Sequence, residues 1–335
     1  MGEINTIAFA YKNTPGILRI SSSGGAFLGI AKVFFTMFKA DIEHVVYGAA
    51  WTDDFQVIHR RVDSIKDCKV FCGSKYIQSD FGNSLKEVEE DLLHNRAVLY
   101  TGTPCQIGAL KSFLNNHACD TQMLLTIDIA CHGTPQATFW NDYKSWLENR
   151  EGAKLADFSF RYKPKGWKGY PVLAVFENGK KYENAFQTSH YMTMFRKDLL
   201  MRPGCFNCKY PGNYQSDITI ADFWGVELCM PQIPADGGVS LMLCHTDKGK
   251  QIVEEMNAVK VPDNRYLEYN QNLSRHTEKP AEYDLFWSEY KNEGIEYILR
   301  KYGGNTAAGF IRFNIIRILR DTGLMTLGKK LLKKA

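Results

Sequence analysis

The chain has 335 residues, 44% hydrophobic and 13% aromatic, enough to bury a large core in one or two globular domains and too polar for a bundle of membrane helices. Its net charge of +4 is uneven: residues 306–335 hold seven Lys/Arg against the single Asp321, a local +6. The rest is therefore slightly acidic and offers no broad basic face for nucleic acid.

The opening MGEINTIAFA reads as the entry to a strand rather than a targeting peptide, so a cytoplasmic chain is expected. Apolar runs then alternate with helical ones: IAFAY, the helix GGAFLGIAKVFFTMF, the runs VVYGAAW and VIHRRV, the helix LKEVEEDLL, the run AVLYTG, a helix from Gly108, and LLTIDIA. That alternation predicts an α/β fold with a mixed, partly parallel sheet and flanking helices. AVLYTG and LLTIDIA each end in a small-residue turn bearing a cysteine, which puts Cys105 and Cys131 at carboxyl ends of strands, where open α/β sheets hold ligands. Residues 155–190 form a β-rich insertion, with ENGKK as its hairpin turn. A pair CFNC follows between Pro203 and Pro211, then DITIADFWG as a strand leading into a turn, the strand VSLMLCHT, a helix from Lys248 to about Ala258, and a basic helical tail.

Nine cysteines, an odd number in a reducing compartment, do not suit a disulfide framework. Cys229 and Cys244 fall in apolar runs and read as core; Cys68, Cys72 and Cys119 have no partner at ligand spacing. Cys105, Cys131, Cys205 and Cys208 sit instead at turns with small or rigid neighbours. Four thiolates suit a 4Fe–4S cluster or a structural zinc, and spacing does not separate the two. A thioredoxin-like dithiol wants its CxxC opening a helix, whereas Pro203, Gly204 and Pro211 surround this pair with breakers.

In RISSSGGAFLGIAKVFF, the hydroxyls of Ser21 to Ser23 and the glycines Gly24 and Gly25 precede a long apolar helix, an arrangement suited to a phosphate and equally to an ordinary serine cap. In CGSKYIQSDFG, Lys75 could neutralise an anion while Gln78 and Ser79 supply hydrogen bonds; an exposed lysine at a helix start is the alternative. Asp217 and Asp222 bracket the DITIAD strand and suit orienting backbone or cationic groups better than ligation.

The ordered motifs RISSSGGAF, YGAAW, GSKYIQS, LYTGTPCQIGAL, DIACHGTP, FRYKPKGW, CFNCKY and SDITIADFWG, from about residue 8 to 255, resemble the beta-subunit family of coenzyme F420 hydrogenase/dehydrogenase. The resemblance implies an oxidoreductase that binds FAD and a 4Fe–4S cluster and passes electrons between a hydride-carrying small molecule and a one-electron partner. It puts the cluster on Cys105, Cys131, Cys205 and Cys208. It puts the flavin near Ser22, Ser23, Gly24 and Gly25 and near Ser74, Lys75, Tyr76, Gln78 and Ser79, and assigns no catalytic residue. The implied organisation is a flavin-binding region over 1–95, a cluster-bearing region over 96–300 and a basic amphipathic tail over 301–335.

Many relatives carry a ferredoxin-like module ahead of the serine-glycine motif; this chain begins almost at that motif, which implies a separate, ferredoxin-type electron carrier. Gln215 stands where relatives often have a basic residue, which puts deazaflavin specificity in question. Residues 161–168 are expected to line the anionic part of a substrate. The tail suits either lying on an anionic membrane surface or packing its Ile and Leu face on the domain. The competing functional reading is a non-catalytic, zinc- or cluster-stabilised relative acting in a biosynthetic pathway such as surface polysaccharide assembly.

Overall fold

The structure, a computed structural model, describes residues 6–38, 41–163, 166–167 and 171–321. In chain order its elements are β1 (Ile7–Tyr11), α1 (Pro15–Ile20), α2 (Ala26–Met37), β2 (His44–Trp51), β3 (Val57–Val62), α3 (Ser84–Leu93), β4 (Ala97–Gly102), α4 (Pro104–Asn116), β5 (Leu124–Ile129) and α5 (Ala137–Glu151). There follow β6 (Leu155–Ser159), β7 (Leu173–Phe176), β8 (Lys181–Glu183), α6 (His190–Phe195), β9 (Ile218–Asp222), α7 (Val226–Cys229), β10 (Ser240–Cys244), α8 (Asp247–Glu255), β11 (Val259–Lys260), α9 (Tyr266–Tyr269), α10 (Tyr283–Lys301) and α11 (Ala307–Asp321). The fold is the expected α/β class, with a partly parallel sheet, flanking helices, a β-rich insertion and a helical C-terminal region. Residues 322–335 of the tail lie outside the described residues.

The chain divides into two compact units. The first comprises residues 1–137, 163–169 and 202–278 and contains an eight-stranded sheet in the order β11-β1-β10-β9-β5-β4-β2-β3. Its centre, β2-β4-β5-β9, is parallel, while β3 at one edge and β10, β1 and β11 at the other run antiparallel to their neighbours. Side chains alternate across the pleat. Ala97 and Leu99 of β4 pack with Ile30 and Phe34 of α2 and Ile252 of α8, whereas Val98 and Tyr100 pack with Val88 of α3 and Leu110 of α4. Covered on both faces, β4 and β5 are buried almost throughout, which is why they read as unbroken apolar runs.

Helix α4 begins at Pro104 rather than at Gly108, so Cys105 occupies its first turn instead of a loop before it. Pro104 presets the first helical φ, and the Gln106 side chain accepts the Thr103 N–H at 2.9 Å, satisfying a donor at the helix entrance.

The second unit comprises residues 138–162, 170–201 and 279–335. Its small antiparallel sheet β6-β7-β8 turns at residues 177–180, where Gly179 has φ +82°. The core is aromatic: Trp140 packs on Phe158, Phe160 and Tyr191 with ring centroids 4.9, 5.4 and 5.7 Å apart. An open groove of about 490 Å³ between α5 and α10 contains none of the predicted site residues.

Candidate cofactor site

All the residues that the motifs assign to the flavin and the cluster lie in the first unit. The serine-glycine motif is held where α1 gives way to α2. The Ser23 hydroxyl donates to Val239 O at 2.7 Å, and the Gly24 backbone lies so close to β1 and β10 that a Cβ there would stand 2.3 Å from both Ser240 N and Tyr11 O. Gly25 precedes α2 in the left-handed region, at φ +77°. The motif is thus locked by close approach rather than by a serine capping α2.

The second motif comes to meet the first. The Ser22 hydroxyl accepts hydrogen bonds from the Ser74 N–H at 2.7 Å and from its hydroxyl at 2.8 Å. Lys75 does not stand free as an anion partner. Its ammonium donates to the carbonyls of Phe71, Cys72 and Gly73 at 3.2 to 3.3 Å, closing the 3-10 turn Asp67–Phe71, and burial lowers its pKa to about 8. Lys163 points its ammonium at Ser23 O (3.1 Å) and Gly237 O (2.9 Å). Elsewhere in the 161–168 stretch, Trp167 stacks on Trp224 at 4.7 Å, Arg161 is buried in the second unit, and residues 164, 165 and 168 lie outside the described residues.

The same segment leads on to the cysteines. Gln106 donates from Nε2 to the Ser79 hydroxyl at 2.8 Å while its Oε1 holds Thr103, and the Gln78 N–H donates to Pro135 O at 3.1 Å. Tyr76 lies between Lys75 and these contacts in the chain.

Cys105, Cys131, Cys205 and Cys208 line one cavity of about 50 Å³ together with Asp128, His132, Tyr210, Tyr214 and Thr219. Three segments converge on it. Cys105 follows β4 and Cys131 follows the adjacent β5, while the CFNC pair belongs to the 3-10 turn Pro203–Asn207 and the residue after it. That turn is tied to the Cys131 loop by the Arg202 N–H on Thr134 O at 3.0 Å. It also meets α4 at Gly108, where a Cβ would stand 2.6 Å from the Tyr210 ring. The Thr134 N–H donates to Cys205 Sγ at 3.4 Å, and the Thr103 hydroxyl lies 3.2 Å from Cys105 Sγ. Burial pushes the Cys131 thiol up to about 12 and raises Cys208, and the neighbouring Cys105 and Cys205 add to both shifts. Among the described residues no group of three or more His, Cys, Asp or Glu is arranged to hold a single metal ion.

Asp128, fully buried on β5, has no hydrogen bond of good geometry to either carboxylate oxygen among the described residues. Burial pushes its carboxyl up to about 7, against the pull of the Thr219 and Ser216 hydroxyls and the Lys111 charge. The Thr219 hydroxyl lies 2.9 Å from Nε2 of His245, whose ring stacks on Tyr214 at 4.1 Å and which burial holds down at about 4. Asp217 orients backbone, as expected: its carboxylate accepts from the Thr126 N–H and hydroxyl and from the Thr246 hydroxyl at 2.7 to 2.8 Å. Gln215 bonds to Asn213. Cys229, Cys244 and Cys68 are buried away from the cavity.

The sequence profile for the C-terminal part of the beta subunit of coenzyme F420 hydrogenase/dehydrogenase matches residues 95–265, just over half of the chain. The chain belongs to this coenzyme F420 hydrogenase/dehydrogenase beta-subunit family. Membership ties it to oxidoreduction and electron transfer. The matched residues include all four cavity cysteines; the serine-glycine and GSKYIQS motifs precede them. A solved structure of the F420-reducing [NiFe] hydrogenase complex from Methanosarcina barkeri, studied by xenon derivatization, contains a chain 16% identical to this one. The likeness covers 87% of this chain and 93% of that one with a TM-score of 0.51, a similarity of fold. No curated protein matches the chain.

Sequence reasoning about this F420 hydrogenase/dehydrogenase relative overlooks Asp128, Gln106 and the Gly108–Tyr210 contact. Asp128 does leave a signal, being the one charged residue within the buried run LLTIDIA. Gln106 leaves a local one, the Thr103-x-x-Gln106 capping box, while its bond to Ser79 and the Tyr210–Gly108 contact leave none, since those partners are distant in the chain.

Proposed function

We propose that this chain is a flavin- and iron–sulfur-dependent oxidoreductase subunit that passes electrons between a hydride-carrying small molecule, such as coenzyme F420, and an external one-electron protein of ferredoxin type. The observation that carries the reading is the convergence of Cys105, Cys131, Cys205 and Cys208 from three segments on one small cavity. Four thiols, with the Thr134 N–H already aimed at one sulfur, make the donor set of a 4Fe–4S cluster. At about 50 Å³ the cavity falls far short of the roughly 300 Å³ or more typical of organic-ligand pockets, which favours a compact inorganic group there. The joined motifs Ser22 to Gly25 and Ser74 to Ser79 would hold the FAD, with Lys75 bracing the segment from behind. When bound, the flavin and cluster supply the exchange between two-electron and one-electron chemistry.

The chain's own contribution is positional. Close packing at Gly24 and the Ser22–Ser74 contact hold one motif against the other, while Ser79 and Gln106 connect that segment to the entrance of α4, where Cys105 lies. Residues 1–95 then supply most of the flavin contacts and 96–300 the cluster ligands.

Protein purified without air should show flavin absorption and about four irons per chain. Ser in place of Cys105, Cys131, Cys205 or Cys208 should remove most of that iron, while Cys119→Ser leaves it in place. Flavin-free, iron-free protein that carries zinc would sink the proposal.

A further inference from the structure

Helix α11 keeps an apolar stripe in the open. Phe310 and Phe313 pack against Phe186, with ring centroids 5.3 and 5.8 Å away, and these contacts fix the rotation of the helix. Ile311, Ile315 and Ile318 follow one another at helical spacing along one stripe and are 60%, 47% and 58% exposed. At about 100° per residue, Arg312 and Arg317 fall on opposite flanks of that stripe. Residues 306–320 contain no Asp or Glu, and the sequence beyond adds Lys329, Lys330, Lys333 and Lys334 against the single Asp321.

The charge decides what suits this face. A second copy of the chain, docked through the same patch, would bring Arg312 and Arg317 toward their own counterparts with no carboxylate on this stretch to answer them. A stripe of three isoleucines also lacks the Trp and Tyr anchors that dominate protein–protein hot spots. An anionic lipid surface answers both features. Its acyl boundary takes the isoleucines, and its headgroups take the arginines, whose aliphatic stems lie along the apolar edge. The 15 residues of α11 rise about 22 Å, short of the roughly 30 Å hydrocarbon thickness, so the helix suits lying along the surface. Among the described residues no helix is long and apolar enough to cross a membrane.

We propose that α11 is an interfacial helix that docks this chain on anionic lipid through Ile311, Ile315 and Ile318, flanked by Arg312 and Arg317. The proposal stands whether or not the cofactor reading holds. The full chain is sedimented with vesicles of phosphatidylcholine alone and of phosphatidylcholine mixed with phosphatidylglycerol. Binding is at least about tenfold stronger to the anionic vesicles and weakens as salt is raised. The pair Ile311→Glu/Ile315→Glu abolishes it. The pair Arg312→Gln/Arg317→Gln weakens it by roughly fivefold per arginine. All four positions are exposed, and unchanged thermal melting of each variant checks that the fold is kept. Equal binding to neutral vesicles, or variants that bind like the parent, overturns the proposal. So does a lipid-free dimer that the isoleucine pair dissolves, because it would assign the face to a second copy.

Discussion

Ser22 and Ser74, 52 residues apart in the chain, share two hydrogen bonds through the single Ser22 hydroxyl, at 2.7 and 2.8 Å. The contact fastens the serine-glycine motif to the segment that leads to Ser79. Ser22→Ala should lower unfolding free energy by about 1–2 kcal/mol and reduce bound flavin severalfold while leaving iron unchanged. Flavin-to-protein and iron-to-protein ratios measured on the same preparation check this, and undiminished flavin would separate the motif from the cofactor.

Gly108 and Tyr210 make a second such test. A methyl group at 108 must displace the Tyr210 ring, and with it the loop that carries Cys208. Gly108→Ala should cost about 1–3 kcal/mol and part of the bound iron. Adding Tyr210→Ala makes room for the methyl group, so the double variant should be more stable than the two single effects predict, by about 1 kcal/mol or more. Strict additivity in urea unfolding would show that the ring does not set the loop.

Three buried histidines make stability sensitive to acid. His59, His190 and His245 are held by burial at about 4. In the unfolded chain each takes up its proton near about 6.5. The folded values are the lower ones, so their contribution is full above about 6.5 and is lost as pH falls toward 4. Each should add up to about 1.4 kcal/mol per pH unit to the slope across that window. Urea midpoints followed downward from neutral pH measure it, and His245→Gln should flatten the curve by one histidine's share.

Asp128 works in the opposite sense. Its folded pKa, at about 7, lies above the unfolded carboxyl value, so its favourable contribution is complete in acid and fades as pH rises through 7. In the cofactor-free chain, Asp128→Asn should be more stable than the parent above neutrality, by on the order of 3 kcal/mol, and nearly equal to it well below pH 4. A stability difference that does not change with pH would mean that the carboxyl is not buried in the uncharged form.

How far the sequence could be read follows from the range of the interactions involved. AVLYTG and LLTIDIA are legible because a parallel strand buried on both faces leaves an unbroken apolar run, and from their ends follow the positions of Cys105 and Cys131. CFNCKY reaches the same cavity through the Arg202–Thr134 hydrogen bond and the Tyr210–Gly108 contact, neither of which leaves a local pattern. Lys75 resembles an anion ligand in sequence; three carbonyls at the end of a 3-10 turn take up its ammonium, a choice that only the folded backbone sets. Helix α5 does carry a stripe, with Phe139, Trp140, Tyr143 and Leu147 at helical spacing, yet its mixture of aromatic and charged residues gives a weak amphipathic contrast.

The pairing of β1 bears on how the protein is made. Ile7–Tyr11 is synthesised well before both of its partners, β10 and β11, which lie beyond residue 239. An apolar strand therefore waits with both edges open until the segment beyond residue 239 has been synthesised, and closing the sheet means forming contacts of very high sequence separation. Slow refolding from denaturant is expected, together with losses to aggregation that grow with concentration and shrink when a chaperone shields the nascent chain.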